Sequence, residues 1–382
     1  MKKIINPNEY GSLLFDKREE QAIINVLKNE KIFRYASANE SKVDEFEKRL
    51  CEFVNSKYSL GVVNGTAGLI TALIGCGIKE GDRVLVSAYT FLATALAVKS
   101  IGAIPVPVEI DLITGFDLED FERELKKGCK AAILVQHQGR CFDMSKVIKL
   151  TKKYKVVLIE DACQALGAKN KKGYAGTFGD VGVYSFQQFK QITCGEGGAV
   201  VTNNKTIFNK MRNYSDMGSN RNLFPSWSGS NISFGQNYRM NNLSGSIICE
   251  QIIKLQGIID KQIELRDYIL KELKTKKVVN SYYDKGDTGM NILLLLDNLD
   301  EFNTLKEKAL KNNIEIRKMW NGMYFENDLF KEGKLTDIDL RDNKCIKTKD
   351  IIDRLAVISI PPILSIKDCD LIIDFLNNNL DK

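Results

Sequence analysis

Val156-Val157-Leu158-Ile159-Glu160-Asp161-Ala162-Cys163-Gln164-Ala165-Leu166-Gly167 is the stretch on which the reading of the fold turns. Its opening run, Val156 to Ile159, is short, apolar and uninterrupted, the pattern of a strand buried on both faces. Two acids follow it. In open α/β sheets, ligands bind beyond the carboxyl ends of the strands, so a carboxylate at this place faces whatever is bound. Pyridoxal phosphate (PLP) needs such a group, because an Asp opposite the pyridine nitrogen keeps it protonated and makes the ring an electron sink. The plainer alternative is an acid complementing a helix dipole, and it applies to Glu160 first.

Outward from this stretch, roughly the first two thirds of the chain alternate β-type runs with helical ones. Lys42 to Val54 has helical spacing, with Val43, Phe46, Leu50 and Phe53 on one face. Ser59 to Val63, Arg83 to Ser87, Ile104 to Ile110, Ala131 to Val135, Val181 to Phe186 and Gly198 to Thr202 read as strands. Leu69 to Ile74 and Thr94 to Ile101 read as helices between them. This alternation predicts an α/β domain around a mainly parallel sheet. After about residue 245 the texture changes: a long helix over Ile248 to Leu273, a strand at Met290 to Leu296 and a closing helix at Lys367 to Leu376. We expect a large α/β domain over residues 1–250 and a small α+β domain over 251–382.

Bulk properties narrow the class. Nine cysteines, an odd number with no CxxC pair, argue against a disulfide framework and against a zinc site, and fit a reducing cytoplasm. No metal is expected. No uncharged apolar run reaches the roughly 20 residues of a membrane helix. Met1-Lys2-Lys3-Ile4-Ile5-Asn6-Pro7 lacks the apolar core of a signal peptide. The net charge of +6 is spread through lysine-rich stretches without a basic, aromatic-interleaved stripe, so nucleic acid is not an expected partner.

Two further segments carry chemistry. Ser185-Phe186-Gln187-Gln188-Phe189-Lys190-Gln191-Ile192-Thr193-Cys194-Gly195-Glu196-Gly197-Gly198 sets a lysine between a strand and a glycine-rich turn. A lysine amine forms imines with carbonyls; a solvated loop lysine is the plain alternative. Asn64-Gly65-Thr66-Ala67 is a strand-to-helix turn whose amides and hydroxyl suit a phosphate, or form a simple N-cap.

The order of these segments resembles the StrS/DegT family of sugar aminotransferases. The likeness runs from about residue 10 to residue 245. It takes in Lys31-Ile32-Phe33-Arg34-Tyr35, Asn64-Gly65-Thr66-Ala67, Ala88-Tyr89-Thr90-Phe91-Leu92-Ala93-Thr94, the Asp161 and Lys190 segments, and Gly235-Gln236-Asn237-Tyr238-Arg239-Met240. The resemblance implies a fold type I PLP enzyme that works as a homodimer. It implies that Lys190 holds PLP and shuttles protons, that Asp161 pairs with the pyridinium, and that Gln164 contacts the ring hydroxyl. Phe91 would stack on the ring, and Gly65, Thr66 and Ser185 would cradle the phosphate. Asn237 would reach the phosphate of the other subunit. Arg239 is a candidate for the carboxylate of the amino donor, and Arg34, Tyr35 and Trp320 are candidate substrate residues.

The implied reaction moves an amino group from glutamate or glutamine to a keto sugar, nucleotide-linked in the commonest members. Phe33-Arg34-Tyr35 and the Trp320 segment look more like members acting on free keto sugars, cyclitols or aminobenzoate precursors. A sugar dehydratase of the same fold carries histidine in place of the lysine, so Lys190 argues against it. A PLP-binding regulator would need a DNA-binding domain for which 382 residues leave no room. A Rossmann dinucleotide enzyme would need a Gly-x-Gly-x-x-Gly after the first strand, and none is present. One departure from the family pattern concerns the only histidine. Val135-Gln136-His137-Gln138-Gly139 places it one residue later than the usual Val-His-x-x-Gly. On a strand that shift turns it to the opposite face, so no catalytic role is expected for His137.

Overall fold

Apolar runs in the first two thirds become seven strands of one sheet: β1 (Tyr58–Val62), β2 (Arg83–Ser87), β3 (Ile104–Val108), β4 (Ala131–Val135), β5 (Val157–Asp161), β6 (Val181–Ser185) and β7 (Gly198–Thr202). Their order is β3-β2-β4-β5-β6-β7-β1, and every pair is parallel except those of β7, which runs antiparallel to β6 and β1. The sheet is therefore mainly parallel, as expected. The computed structural model describes residues 14–35, 41–219, 232–279, 286–320, 322–331 and 345–381. The Met1 to Pro7 segment lies outside them.

Side chains of successive residues point to opposite faces of a strand, and both faces of the sheet are covered. On one side Leu60, Val62, Val183 and Val200 meet α3 (Gly65–Gly75), α4 (Leu92–Ser100) and α7 (Lys205–Ser215). On the other, Tyr184, Ala199 and Val201 meet α2 (Lys42–Val54) and α8 (Asn242–Glu272). The expected stripe of α2 is buried at Val43, Phe46 and Leu50, while Phe53 is half-buried and packs on Tyr174. An N-terminal helix, α1 (Lys17–Lys28), lies along α8, and α5 (Leu118–Lys126) and α6 (Ser145–Tyr154) cover the β3 side.

The helix α8 crosses residue 250 without a break. Its Ile248 to Ile259 stretch packs with the large sheet, whereas Leu265 and Ile269 join a second cluster. That cluster holds the antiparallel pair β8 (Asn291–Leu295) and β9 (Leu355–Ser359), with α9 (Leu299–Lys311) and α11 (Ile366–Asn379). Between them, α10 (Ile346–Arg354) and residues Met323 to Phe330 fold back onto the large sheet's core.

Several boundaries shift from the sequence reading, and two of the shifts lie at the site. The helix α3 starts at Gly65 rather than Leu69, because the Asn64 side chain accepts the Ala67 N–H at 2.8 Å and caps it. The strand β5 runs on through Glu160 and Asp161, which therefore face opposite ways. Glu160 complements no helix dipole. Its carboxylate is fully buried and accepts four hydrogen bonds: from the amides of Gly176 (2.9 Å), Phe178 (2.6 Å) and Gly179 (2.7 Å), and from Gln136 Nε2 (2.8 Å). Removing it strands these donors without acceptors. Glu160→Ala should lower the stability to urea by about 3–5 kcal/mol; a loss under about 1 kcal/mol, the range of surface changes, would show that the four bonds do not hold the β5 edge.

Candidate active site

The carboxyl ends of the parallel strands open on one side of the sheet, and the loops leaving them carry the expected residues. Asn64, Gly65 and Thr66 follow β1, and Tyr89 to Phe91 follow β2. His137 to Gly139 follow β4, Asp161 ends β5, and Ser185 to Lys190 leave β6. Residues up to 126 positions apart, from Gly65 to Gln191, thus converge at a single edge because the strands are parallel.

Asp161 is buried and tightly held. Its Oδ2 accepts the Thr94 hydroxyl at 2.8 Å and its Oδ1 the Cys163 N–H at 3.2 Å. Thr90 and Thr94 hydroxyls lie 2.8 Å apart, so the bond continues to the β2 loop. Burial pushes the Cys163 thiol well above its ordinary value, with Asp161 acting the same way and the Lys190 ammonium opposing. Lys190 leaves β6 at the same strand-end edge as Asp161. Lys190 itself is half-buried on a turn closed by its N–H to Gln187 O at 2.9 Å. That turn is clamped from behind. Gln191 Nε2 donates to Gln262 of α8 at 2.8 Å, and Gln251 of α8 accepts the Thr193 N–H at 3.4 Å.

The first two N–H groups of α3, those of Gly65 and Thr66, have no intrahelical acceptor. Gly65 packs so closely that a Cβ there would lie 3.0 Å from Cys163 Sγ and 3.1 Å from Ser185 Cβ. A side chain there would press on Ser185 and the β5 loop, so glycine lets the helix end sit close against them. The result is a small cradle of amides and a hydroxyl, with the polarity for a phosphate. Phe91, the N-cap residue of α4, is 60% exposed, a large ring left uncovered at the mouth. Gln164 is half-buried beside Asp161's loop. The residues present therefore fit PLP: a cradle, a fixed acid, an uncovered ring and a lysine.

Other expected residues are placed differently. Arg34 is 4% exposed and bonded through Nη2 to Glu47 (2.8 Å) and Asp44 (2.7 Å). Burial works against its charge, but Glu47, Tyr35 and Asp44 outweigh it and hold the guanidinium above its ordinary range. Arg34 is a buried cation that ties the Phe33-Tyr35 segment to α2. Tyr35 stays half-buried, edge-on to Phe33. Arg239 is paired with the fully buried Asp216, so its charge is already matched. Asn237 is exposed.

Trp320 does reach the site's wall. Its N–H donates to the Tyr89 hydroxyl at 3.1 Å, and its ring meets Tyr89 and His137 edge-on at 4.8 and 5.2 Å. The displaced histidine lies where the one-residue shift sends it. Gln136 takes the inner face with Glu160, while His137 sits among Tyr89, Trp320 and Phe142. Burial pushes its imidazole down to about 3, Arg140 acting the same way. It is neutral at any working pH. Thr94, Gln191, Gln251 and Gln262 escape the sequence reading; only the Thr90-x-x-x-Thr94 spacing, one helical turn, hinted at the first.

Taken with the sheet order, this grouping puts the chain among the aminotransferases. Residues 14–377 match the DegT/DnrJ/EryC1/StrS aminotransferase family, and the chain belongs to it. It is 31% identical over 290 residues to GDP-perosamine synthase of Escherichia coli O157:H7, covering 75% of this chain and 78% of that one. It is 32% identical over 310 residues to the UDP-4-amino-4,6-dideoxy-N-acetyl-beta-L-altrosamine transaminase of Campylobacter jejuni subsp. jejuni serotype O:23/36, covering 79% and 80%. Among solved structures, the aminotransferase from Psychrobacter cryohalolentis shares the fold with a TM-score of 0.86 at 24% identity, over 95% of this chain and 96% of that one. So does the ntda protein of Bacillus subtilis, solved with bound cofactor PMP, with a TM-score of 0.83 at 22% identity over 97% and 84%.

Arg34→Met separates a structural from a substrate role. Glu47, only 14% exposed, would be left without its nearest cation, and such a loss in a buried pair costs up to about 3–5 kcal/mol. Urea unfolding should show this, with the KM for either substrate unchanged in the surviving folded enzyme.

Proposed function

We propose that this chain is a PLP-dependent transaminase that carries an amino group from glutamate or glutamine to the keto group of a nucleotide-linked sugar, in the making of amino sugars. The observation that carries the reading is the buried Asp161 carboxylate, held by Thr94 and the Cys163 amide at the same edge of the sheet as the Gly65 cradle and the Lys190 turn. Two curated relatives named above are, by name, a GDP-sugar synthase and a UDP-sugar transaminase. The free-sugar alternative loses one of its two supports, since Arg34 is internal.

Bound PLP supplies an electron sink that makes the proton on the donor's α-carbon removable. Asp161, fixed by Thr94 and the Cys163 amide, would keep the ring nitrogen protonated. Gly65, Thr66 and Ser185 would hold the phosphate, Phe91 would cover a ring face, and Gln164 would meet the ring oxygen. Lys190 would hold the cofactor and, once freed, its Nζ would accept and give back the α-proton. Gln191 and Thr193 hold its turn against α8 during this exchange. The same groups run in reverse when the keto sugar enters beside Trp320 and Tyr89.

We place the working enzyme in a homodimer, with exposed Asn237 serving the partner's cofactor phosphate. The Lys-rich, cysteine-bearing chain fits the cytoplasm: its nine cysteines are free thiols. Among the described residues no helix is long and apolar enough to cross a membrane.

Loading with PLP should give a visible absorbance band, and borohydride should fix the cofactor to Lys190, read by peptide mapping. A label on another residue, or none, refutes the assignment. Asp161→Asn should fold normally yet lose at least about 10²-fold in kcat, as for a displaced proton-transfer partner. Mixing inactive Lys190→Ala with Asn237→Ala should restore activity only if sites are shared; heterodimers without activity would refute the shared site.

A further inference from the structure

Gln164 is held in one orientation. Its Oε1 accepts the Gln138 N–H at 3.3 Å and its carbonyl accepts the Gly139 N–H at 2.7 Å. Its Nε2 donates to nothing among the described residues, so the donor end of the amide is the end left for the site. The Gln138 N–H points at it only because Gln138 adopts φ +61°, the left-handed region that a side chain rarely enters. Strain of that kind persists where the surroundings impose it, and it clusters at functional sites. Here the surroundings are the carboxyl-terminal segment. Thr288 N–H donates to Gly139 O at 2.8 Å, and a Cβ on Gly139 would lie 2.2 Å from Thr288 Oγ1.

The Gln138 side chain continues the connection. Its Oε1 accepts Asn291 Nδ2 at 3.1 Å, Asn291 Oδ1 accepts Ser359 Oγ at 3.1 Å, and Ser359 Oγ accepts Arg317 Nη2 at 3.3 Å. Asn291 and Ser359 are register partners of β8 and β9. Gln138, Asn291 and Ser359 are all buried. From the guanidinium to Gln138 Oε1 the three bonds run the same way, headed by a charged donor; they end on the Gln138 side chain, and since Gln164 is met by the Gln138 backbone N–H, they act on Gln164 by fixing Gln138 in place.

We propose that Arg317, Ser359, Asn291 and Gln138 form a hydrogen-bonded relay that fixes Gln138 and thereby positions the Gln164 amide, so that the β8–β9 pair acts on the cofactor ring. The inference rests on the reading of the site as a PLP site. These are positioning residues, and Gln164 is the group that touches the ring oxygen. A donor on that oxygen stabilises its negative charge most when the neighbouring nitrogen linking cofactor to lysine is unprotonated. Weakening the relay therefore favours the protonated, longer-wavelength band.

The test is the visible spectrum of PLP-loaded protein at fixed pH, with thermal unfolding of the cofactor-free protein alongside. Ser359→Ala and Asn291→Leu should raise the ratio of the longer- to the shorter-wavelength band by roughly threefold or more, the effect of one hydrogen bond. Arg317→Met should move it the same way by less, and Ser359→Thr should keep the wild-type ratio. If Asn291→Leu does not fold, Ser359→Ala and Arg317→Met decide. Unchanged bands in folded variants overturn the relay alone. No visible band and no Lys190 label in the unmodified protein overturn the relay and the proposed function together.

Discussion

Two adjacent carboxylates at the end of β5 point in opposite directions, and the rest of the molecule is arranged around that fact. Strand alternation sends Glu160 inward, where four donors neutralise it, and Asp161 toward the ligand edge, where a threonine and one amide hold it. The inner carboxylate locks the Gly176 to Gly179 turn under β5. The outer one then stands on a rigid base. A charge held this way needs no reorganisation when an opposite charge arrives, which is the condition for electrostatic stabilisation in a site closed to water.

The sheet was legible because its strands are buried on both sides. β2, β4 and β7 have the ends read from the sequence, since an uninterrupted apolar run has nowhere else to go. The resemblance supplied the grouping of Lys190, Asp161 and Gly65, and parallel topology explains why residues so far apart in sequence meet. Boundaries were misread where side chains, not hydrophobicity, set them: the Asn64 cap began α3 early, and the donors around Glu160 let β5 carry two acids. The roles of Arg34 and Arg239 were not legible. Each is paired with a carboxylate on another element, Glu47 or Asp216, and nothing in the local pattern of either arginine announces its partner.

The histidine is the converse case. A single-residue displacement in Val135 to Gly139 was readable, and period-two geometry alone located its consequence. Gln136 inherits the inner position, and His137 becomes an uncharged wall of the Trp320 side. Polar links between the two parts of the chain were beyond reading, because Asn291 and Ser359 look like ordinary strand polar residues until their register pairs them.

The long helix α8 gives the molecule a shaft. Its first half belongs to the large sheet's core and its last turns to the β8–β9 cluster, and Gln262 sits between the two. There it accepts from Gln191, next to Lys190, and donates to the Ile360 carbonyl just past β9 at 3.1 Å. A helix of 31 residues measures about 46 Å and resists bending. The carboxyl-terminal cluster and the lysine turn are therefore gauged against the same rod. A change at Gln262 would loosen both at once, the turn that carries the amine and the chain just past β9.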